Sequence, residues 1–549
     1  MKYALRALAS VLMLAAAGAL AAASVLAVAT ALVLAFKAGR GWAVGADVAV
    51  VAMLAVVGVG LLAAGRRRRK PLVGVLVTAS EQPLLWVEVY RVAEGVGTRA
   101  PDELLLVPDA GVTASQYRTW LGMRAGVRRL RLGLPLLEGL TERQLRAVIT
   151  HEFCRRWGPA LLGRAIDRVG EIIERVVDRH TQDSRVARFM RFYGGVYLAV
   201  SGPVSRRHEL DADRLTAEVA GNDATAVALR ELPVLRRGWD VFVSGYSEPA
   251  ASVGRRPRDV FAGFASFLQE PDRRAQLVQE AGDPSCEPLS AHERQLLLGD
   301  RLAAVASLPE DDMHDASRPA MDLLRNANKV IGHVEESMFA DSGLAPAAWE
   351  DIVPAAARAA ASQDALQLAR LGDVGGLGPT LSVATVLDLM SFGLAEEMMR
   401  PMFTRGASAE AQRQMAGRLV TGFLATAAIE SGTASYRFSW AEPRLLVDEK
   451  GAVDDLAALV AAALAEQHKV GALELWLKSH RVGRDLELGA DVELGADLEL
   501  RAEAGQAVQE GAVAAAAESP AQARTETLSG DCPDGPDPIP MPVPGIPSI

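Results

Sequence analysis

Between Ala7 and Phe36 the chain carries no charged residue, and no other stretch restricts its folding as much. About 30 residues without a charge exceed the core of a signal peptide and suffice for a bilayer crossing, which takes about 20. A second apolar run, Trp42 to Gly65, is broken only by Asp47, and Arg66 to Lys70 then supply five consecutive cations. The positive-inside rule sets that cluster in the cytoplasm, so two crossings leave Met1 inside and only the Lys37 to Ala46 loop outside. Residues 1–70 therefore read as a transmembrane hairpin with a basic flank, in a multi-pass cell-membrane protein whose bulk is cytoplasmic. A cleaved leader followed by one anchor would export the bulk instead, which the basic cluster opposes.

The rest of the composition agrees with a cytoplasmic bulk. Three cysteines, at 154, 286 and 532, make no disulfide framework. A formal charge of −10 and the lack of any aromatic-basic recognition motif argue against nucleic acid as a partner. Half the residues are hydrophobic, many of them alanine, which suits a mainly helical chain with an ample core.

Thr141-Glu142-Arg143-Gln144 has the form of a capping box, and Leu145, Val148, Ile149 and Phe153 follow at helical spacing until Gly158-Pro159. Upstream, Val127 to Leu134 alternates apolar and basic residues like a half-exposed strand, and Glu103 to Val107 is a short apolar run bounded by prolines. The helix carries His151-Glu152-Phe153-Cys154-Arg155, the H-E-x-x-H zinc signature with arginine at its second histidine. In the intact signature the two histidines face one metal from successive turns while the glutamate addresses a metal-bound water. Arginine keeps its proton and offers only donors, so Arg155 cannot ligate a cation.

Some 55 residues on, Ser205-Arg206-Arg207-His208-Glu209 runs into Leu210-Asp211-Ala212-Asp213, with Glu209 and Asp213 four apart on one helix face. Arg188 to Val204, just before it, reads as a buried helix, too short and too interrupted by Arg191 to cross a membrane.

Here the chain resembles the HtpX-like and CAAX-prenyl-protease-like membrane zinc metallopeptidases, of the gluzincin type. The resemblance rests on His151-Glu152, on Ser205, Arg206, Glu209 and Asp213 in the order S-R-x-x-E-x-x-x-D, and on the approaches Glu103 to Pro108 and Leu136 to Leu145. Ser290 to Arg294 through Arg301 to Val305 is similar to the helix that ends the peptidase domain, without its usual His-Pro pair. The likeness covers about residues 1–310.

It implies that His151 and Glu209 are metal ligands, that Glu152 is the catalytic general base and that Asp213 supports Glu209. Arg155 and Cys154 both depart from the pattern. Catalytic zinc needs about three protein ligands plus water, so zinc would be held weakly or not at all. Cys154 could rescue the metal only by reaching around the helix from the next position. Otherwise Arg155 would supply, to Glu209, Glu152 and Asp213, the positive charge that zinc brings elsewhere.

The expected fold is mainly α with a small β-sheet: a gluzincin-like metallopeptidase domain over residues 71–315 behind two transmembrane helices, then a helical C-terminal extension. That extension, residues 316–480, is helical and of unassigned role, with one hairpin where Tyr436 to Trp440 and Arg444 to Val447 flank Ala441-Glu442-Pro443. Residues 481–549, with an acidic six-residue near-repeat from Asp485 and a Pro-rich end, read as a low-complexity, disordered tail.

Three functions follow. The first is a pseudopeptidase that holds peptide or membrane-protein substrates along a groove strand carrying Arg128, Leu130 and Leu132. The second is an active or impaired zinc metalloendopeptidase. The third is a non-catalytic membrane assembly protein.

Overall fold

A computed structural model describes residues 74–116, 126–158, 185–282, 298–309, 318–340, 342–402, 408–449, 451–453 and 456–489. The two apolar runs, the basic cluster, the Ser290 to Arg294 segment and the tail from residue 490 lie outside the described residues. Among the described residues no helix is long and apolar enough to cross a membrane.

The chain is mainly helical with small sheets, as its pattern predicts. Strands β1 (Val75–Val77), β2 (Glu103–Val107), β3 (Val112–Gln116) and β4 (Arg128–Gly133) form one sheet in the order β1-β2-β4-β3. β2 runs parallel to β4, and the other two pairings are antiparallel. Helix α1 (Pro83–Gly95) links β1 to β2, and α2 (Leu134–Gly139) leads from β4 into α3 (Glu142–Trp157).

α3 starts where the capping box places it. The Thr141 hydroxyl accepts from the Gln144 backbone N–H at 3.4 Å, and the Gln144 side chain accepts from the Thr141 N–H at 3.0 Å. This satisfies two donors that a helix start leaves open. Leu145, Ile149 and Phe153 are buried on its core face, and the helix stops at Gly158 as expected.

α4 (Arg185–Ala220) is one continuous helix that contains both the Arg188 to Val204 stretch and the Glu209 element. α5 (Asn222–Phe242), α6 (Val260–Gln269), α7 (Pro271–Gly282) and α8 (Leu298–Ala306) follow, and α3, α4, α5 and α8 pack around one another.

Beyond them lie α9 (Ala327–Phe339), α10 (Trp349–Val374), α11 (Val383–Ser391), α12 (Ala395–Met398), α13 (Ala409–Glu430), α14 (Leu456–Ala465) and α15 (Val470–Ser479). Two hydrophobic cores result. The first runs from Val77 to Val353, so it passes the boundary expected at residue 315 and takes α9 and the start of α10. The second runs from Ala361 to Leu488. Residues 481–489, assigned to the tail by their pattern, are ordered, and Glu487–Gly489 pairs with Thr380–Ser382.

The expected hairpin forms between Ser435–Arg437 and Leu445–Asp448 but is shorter than its pattern. Trp440 leaves the ladder and packs in the first core beside Tyr246 and Trp349, at ring-centroid distances of 5.3 and 5.4 Å. Tyr246 donates its hydroxyl to the Trp440 carbonyl at 2.8 Å. Packing of that large ring against the core competes with continuing the ladder past Arg437.

Candidate functional site

α3 and α4 lie against each other, and the faces they share bring the two halves of the sequence signature together. His151 Nε2 stands 3.1 Å from Glu209 Oε2 and 3.3 Å from Asp213 Oδ1. Arg155, one turn after His151, places Nε 3.1 Å from Glu209 Oε1. Both Glu209 oxygens are therefore engaged by α3.

Asp213 is 1% exposed, and a partner outside the sequence signature covers it: Arg301 of α8 donates Nε to Oδ2 at 2.8 Å and Nη2 to Oδ1 at 2.6 Å. This is the two-pronged arginine–carboxylate geometry. The same Nη2 lies 2.9 Å from His151 Nε2. Burial tends to push the Glu209 carboxyl up, but Arg155, the contact and charge of His151, and Arg301 outweigh it and hold the group well below its ordinary value. Burial likewise lowers the Arg301 guanidinium, while Asp213 and Glu209 more than restore it.

Glu152 turns towards β3. Its Oε1 accepts from the Ala114 backbone N–H of β3 at 2.9 Å and faces Arg156 Nε at 3.4 Å. Each of the three site carboxylates thus has its own guanidinium: Glu152 with Arg156, Glu209 with Arg155, Asp213 with Arg301.

This donor set does not fit a catalytic zinc. Of the three ligand positions the resemblance implies, only His151 and Glu209 carry lone pairs, Asp213 is taken by Arg301, and a divalent ion here would sit within a few ångströms of two guanidiniums that already neutralise the carboxylates. Among the described residues no group of three or more His, Cys, Asp or Glu side chains is placed to hold a metal.

Cys154 does not correct this. Its side chain is buried in the first core, and burial, with the charge of Asp213 adding to it, pushes the thiol up to about 12. Packed among the core side chains, the sulfur is not presented beside His151 and Glu209.

The groove assigned to Arg128, Leu130 and Leu132 is also corrected. β4 is an interior strand hydrogen-bonded to β2 and β3, so it has no open edge to offer a peptide. Leu130 and Leu132 are fully buried, and the Arg128 guanidinium is spent on the Arg99 carbonyl at 2.6 Å and on the Trp157 ring face. Among the described residues the sheet edge beside the site is β3. Since the Ala114 N–H points outward to Glu152, strand alternation makes Val112, Ala114 and Gln116 the residues whose backbone groups face away from β4.

A cavity of about 200 Å³ opens in front of these residues, with Val112, His151, Glu152, Arg155, Glu209 and Arg301 in its lining. Its far wall is α5. Sequence reasoning missed Arg301, β3 and α5 as parts of the site. For β3 a signal existed: Pro108-Asp109-Ala110-Gly111 is a turn, in which Asp109 accepts from the Gly111 N–H at 3.1 Å, followed by the β-branched pair Val112-Thr113.

Comparison with protein-family models, with curated proteins and with solved structures finds no match to this chain.

Proposed function

We propose that this chain is a membrane-anchored relative of the zinc metalloendopeptidases that works as a pseudopeptidase, holding peptide or membrane-protein segments without efficient cleavage. The observation that carries the reading is the Arg155–Glu209 contact at 3.1 Å, which puts a permanent cation where the second histidine of a zinc site would stand. The site is electrically complete without a metal. The general-base position is also altered, since Glu152 Oε1 is bonded to the Ala114 N–H and faces Arg156. Extended segments would lie along the outer edge of β3, pairing with the outward backbone groups of Val112 and Gln116, since the Ala114 N–H is held by Glu152, and reaching the cavity from there. The two apolar runs before residue 71 and the basic cluster supply the anchor in this reading, with the rest of the chain on the cytoplasmic side.

The test is the zinc content of the purified full chain, measured beside casein cleavage and beside the Arg155→His variant. The expected result is far less than one zinc per chain and no cleavage by the native protein. One tightly bound zinc per native chain, or cleavage lost on chelation and in Glu152→Gln, would replace this reading with that of a zinc endopeptidase. A chain that binds no peptide, and tolerates substitutions along β3 without losing its membrane partners, would be an assembly protein instead.

A further inference from the structure

The α5 wall of the cavity is built unlike an ordinary helix face. Thr225, Ala228, Leu229, Leu232 and Arg236 line the cavity at helical spacing from one side of α5. Thr225 is 1% exposed, yet among the described residues its hydroxyl has no hydrogen-bond partner. Buried helical threonines ordinarily bond back to the carbonyl four residues earlier, as Thr150 does to Arg146 at 2.7 Å and Thr216 to Ala212 at 2.8 Å. A buried hydroxyl left open in a cavity wall costs about 1–3 kcal/mol unless something fills it. Pro233 lies within the same helix and lacks an N–H, so the Leu229 carbonyl loses its usual i+4 donor. The wall therefore offers an unused hydroxyl and a carbonyl short of its donor beside the apolar side chains of Leu229 and Leu232.

The charge of the lining is uneven. The three carboxylates are matched one for one, which leaves Arg206 and Arg236, both exposed and neither ion-paired among the described residues. Asp109, the carboxylate in electrostatic reach of Arg236, is itself engaged by Arg131 at 3.2 Å. Among the described residues the cavity accordingly carries two guanidiniums without an ion pair, and guanidinium favours carboxylate by paired, charge-assisted hydrogen bonds. Its volume, about 200 Å³, is below the roughly 300–1,000 Å³ of drug-sized and cofactor sites, so it suits the end or one side chain of a peptide.

From this we infer that the cavity recognises a peptide carboxylate adjoining an apolar side chain, with Arg236 and Arg206 receiving the carboxylate, Leu229 and Leu232 the apolar group, and Thr225 a peptide polar group. This rests on the peptide-holding reading above and names the chemistry that site selects.

Fluorescence anisotropy on the full chain in detergent micelles tests it with three fluorescein-labelled probes: Gly-Ser-Gly-Ala-Leu as the free acid, the same peptide as its amide, and Gly-Ser-Ala-Glu-Leu as its amide. The free acid is expected to bind at least about tenfold more tightly than its amide. Arg236→Gln should reduce that preference to about twofold or less, and Arg207→Gln, an exposed neighbour of Arg206 paired with Asp211, should leave it intact. Tight binding by the glutamate-containing amide would keep the carboxylate specificity and assign it to an acidic side chain. Equal binding of acid and amide would overturn the inference while leaving a peptide-holding site.

Calorimetry with pentanoate separates the two readings. Saturation by pentanoate in the native chain and not in Arg236→Gln, with no peptide bound, keeps the carboxylate site and removes the peptide reading. Binding of neither probe removes the inference.

Discussion

Arg155→Met removes the cation from Glu209 while keeping most of the side-chain stem. The guanidinium lies 3.1 Å from the carboxylate, and both side chains are 17% exposed. Unit charges about 4 Å apart interact by about 4 kcal/mol at an effective dielectric near 20. His151 at 3.1 Å and Arg301 at 3.9 Å remain to compensate part of the charge, and water reaches part of the pair. A loss of about 2 kcal/mol is therefore expected, below the ~3–5 kcal/mol for breaking a fully buried pair.

Urea unfolding in micelles reads it through tryptophan fluorescence, to which Trp157, in tilted contact with Phe153 at 4.7 Å, contributes. The decisive measurement is the cycle of Arg155→Met, Glu209→Gln and the double variant. Once the carboxylate is also gone no charge is stranded, so the double variant should be more stable than the sum of the singles by about 1–3 kcal/mol. A coupling below about 0.5 kcal/mol would refute the argument, because it would reduce the pair to an ordinary surface contact.

Three further outcomes are expected. Glu209 is held well below its ordinary range, so its stabilisation is present above the unfolded carboxylate value of about 4.3 and drains as pH falls towards its folded value. Melting temperatures recorded from pH 7 down to pH 3 should therefore fall more steeply for the native chain than for Glu209→Gln; parallel slopes would show that Glu209 is not depressed. The Cys154 thiol, pushed up to about 12 and buried, should resist maleimide at pH 8 in the folded chain and react fully in guanidinium chloride, as followed by peptide mass spectrometry. In the second core, Gly422→Ala would set a methyl 2.5 Å from Asp364 Cβ and 3.2 Å from the Ala361 carbonyl, where α10 and α13 pack. Thermal unfolding should show about 1–3 kcal/mol of destabilisation; an unchanged transition would mean the two helices part without cost.

The parts of this protein legible in its residues were those governed by near neighbours. The α3 boundaries follow from a capping box and a Gly-Pro stop, both settled within a few residues. The strands Glu103–Val107 and Arg128–Gly133 announced themselves by apolar runs and alternation. Position in the sheet did not: β4 alternates like a half-exposed strand, yet the Arg129 and Arg131 side chains are held by Glu103 and Asp109, and that of Arg128 by the Arg99 carbonyl. Alternation reports two faces and says nothing of whether a strand has a neighbour on each side. That the first core extends past residue 315 escaped the sequence for a related cause, since the α9 residues that complete it sit far along the chain from the strands they cover.

A chain read alone assigns the identity of each group, and here that settled one matter outright: arginine at position 155 cannot donate an electron pair, whatever surrounds it. Helix periodicity added that Glu209 and Asp213 share a face. Which groups meet is another kind of fact. That Arg301 covers Asp213 from 88 residues away, that Glu152 is tied to the β3 edge, and that Arg236 and Arg206 are without an ion pair among the described residues depend on how α3, α4, α5 and α8 pack. Coulomb and hydrogen-bond energies act over distances of a few ångströms in space, which separation along the chain does not encode.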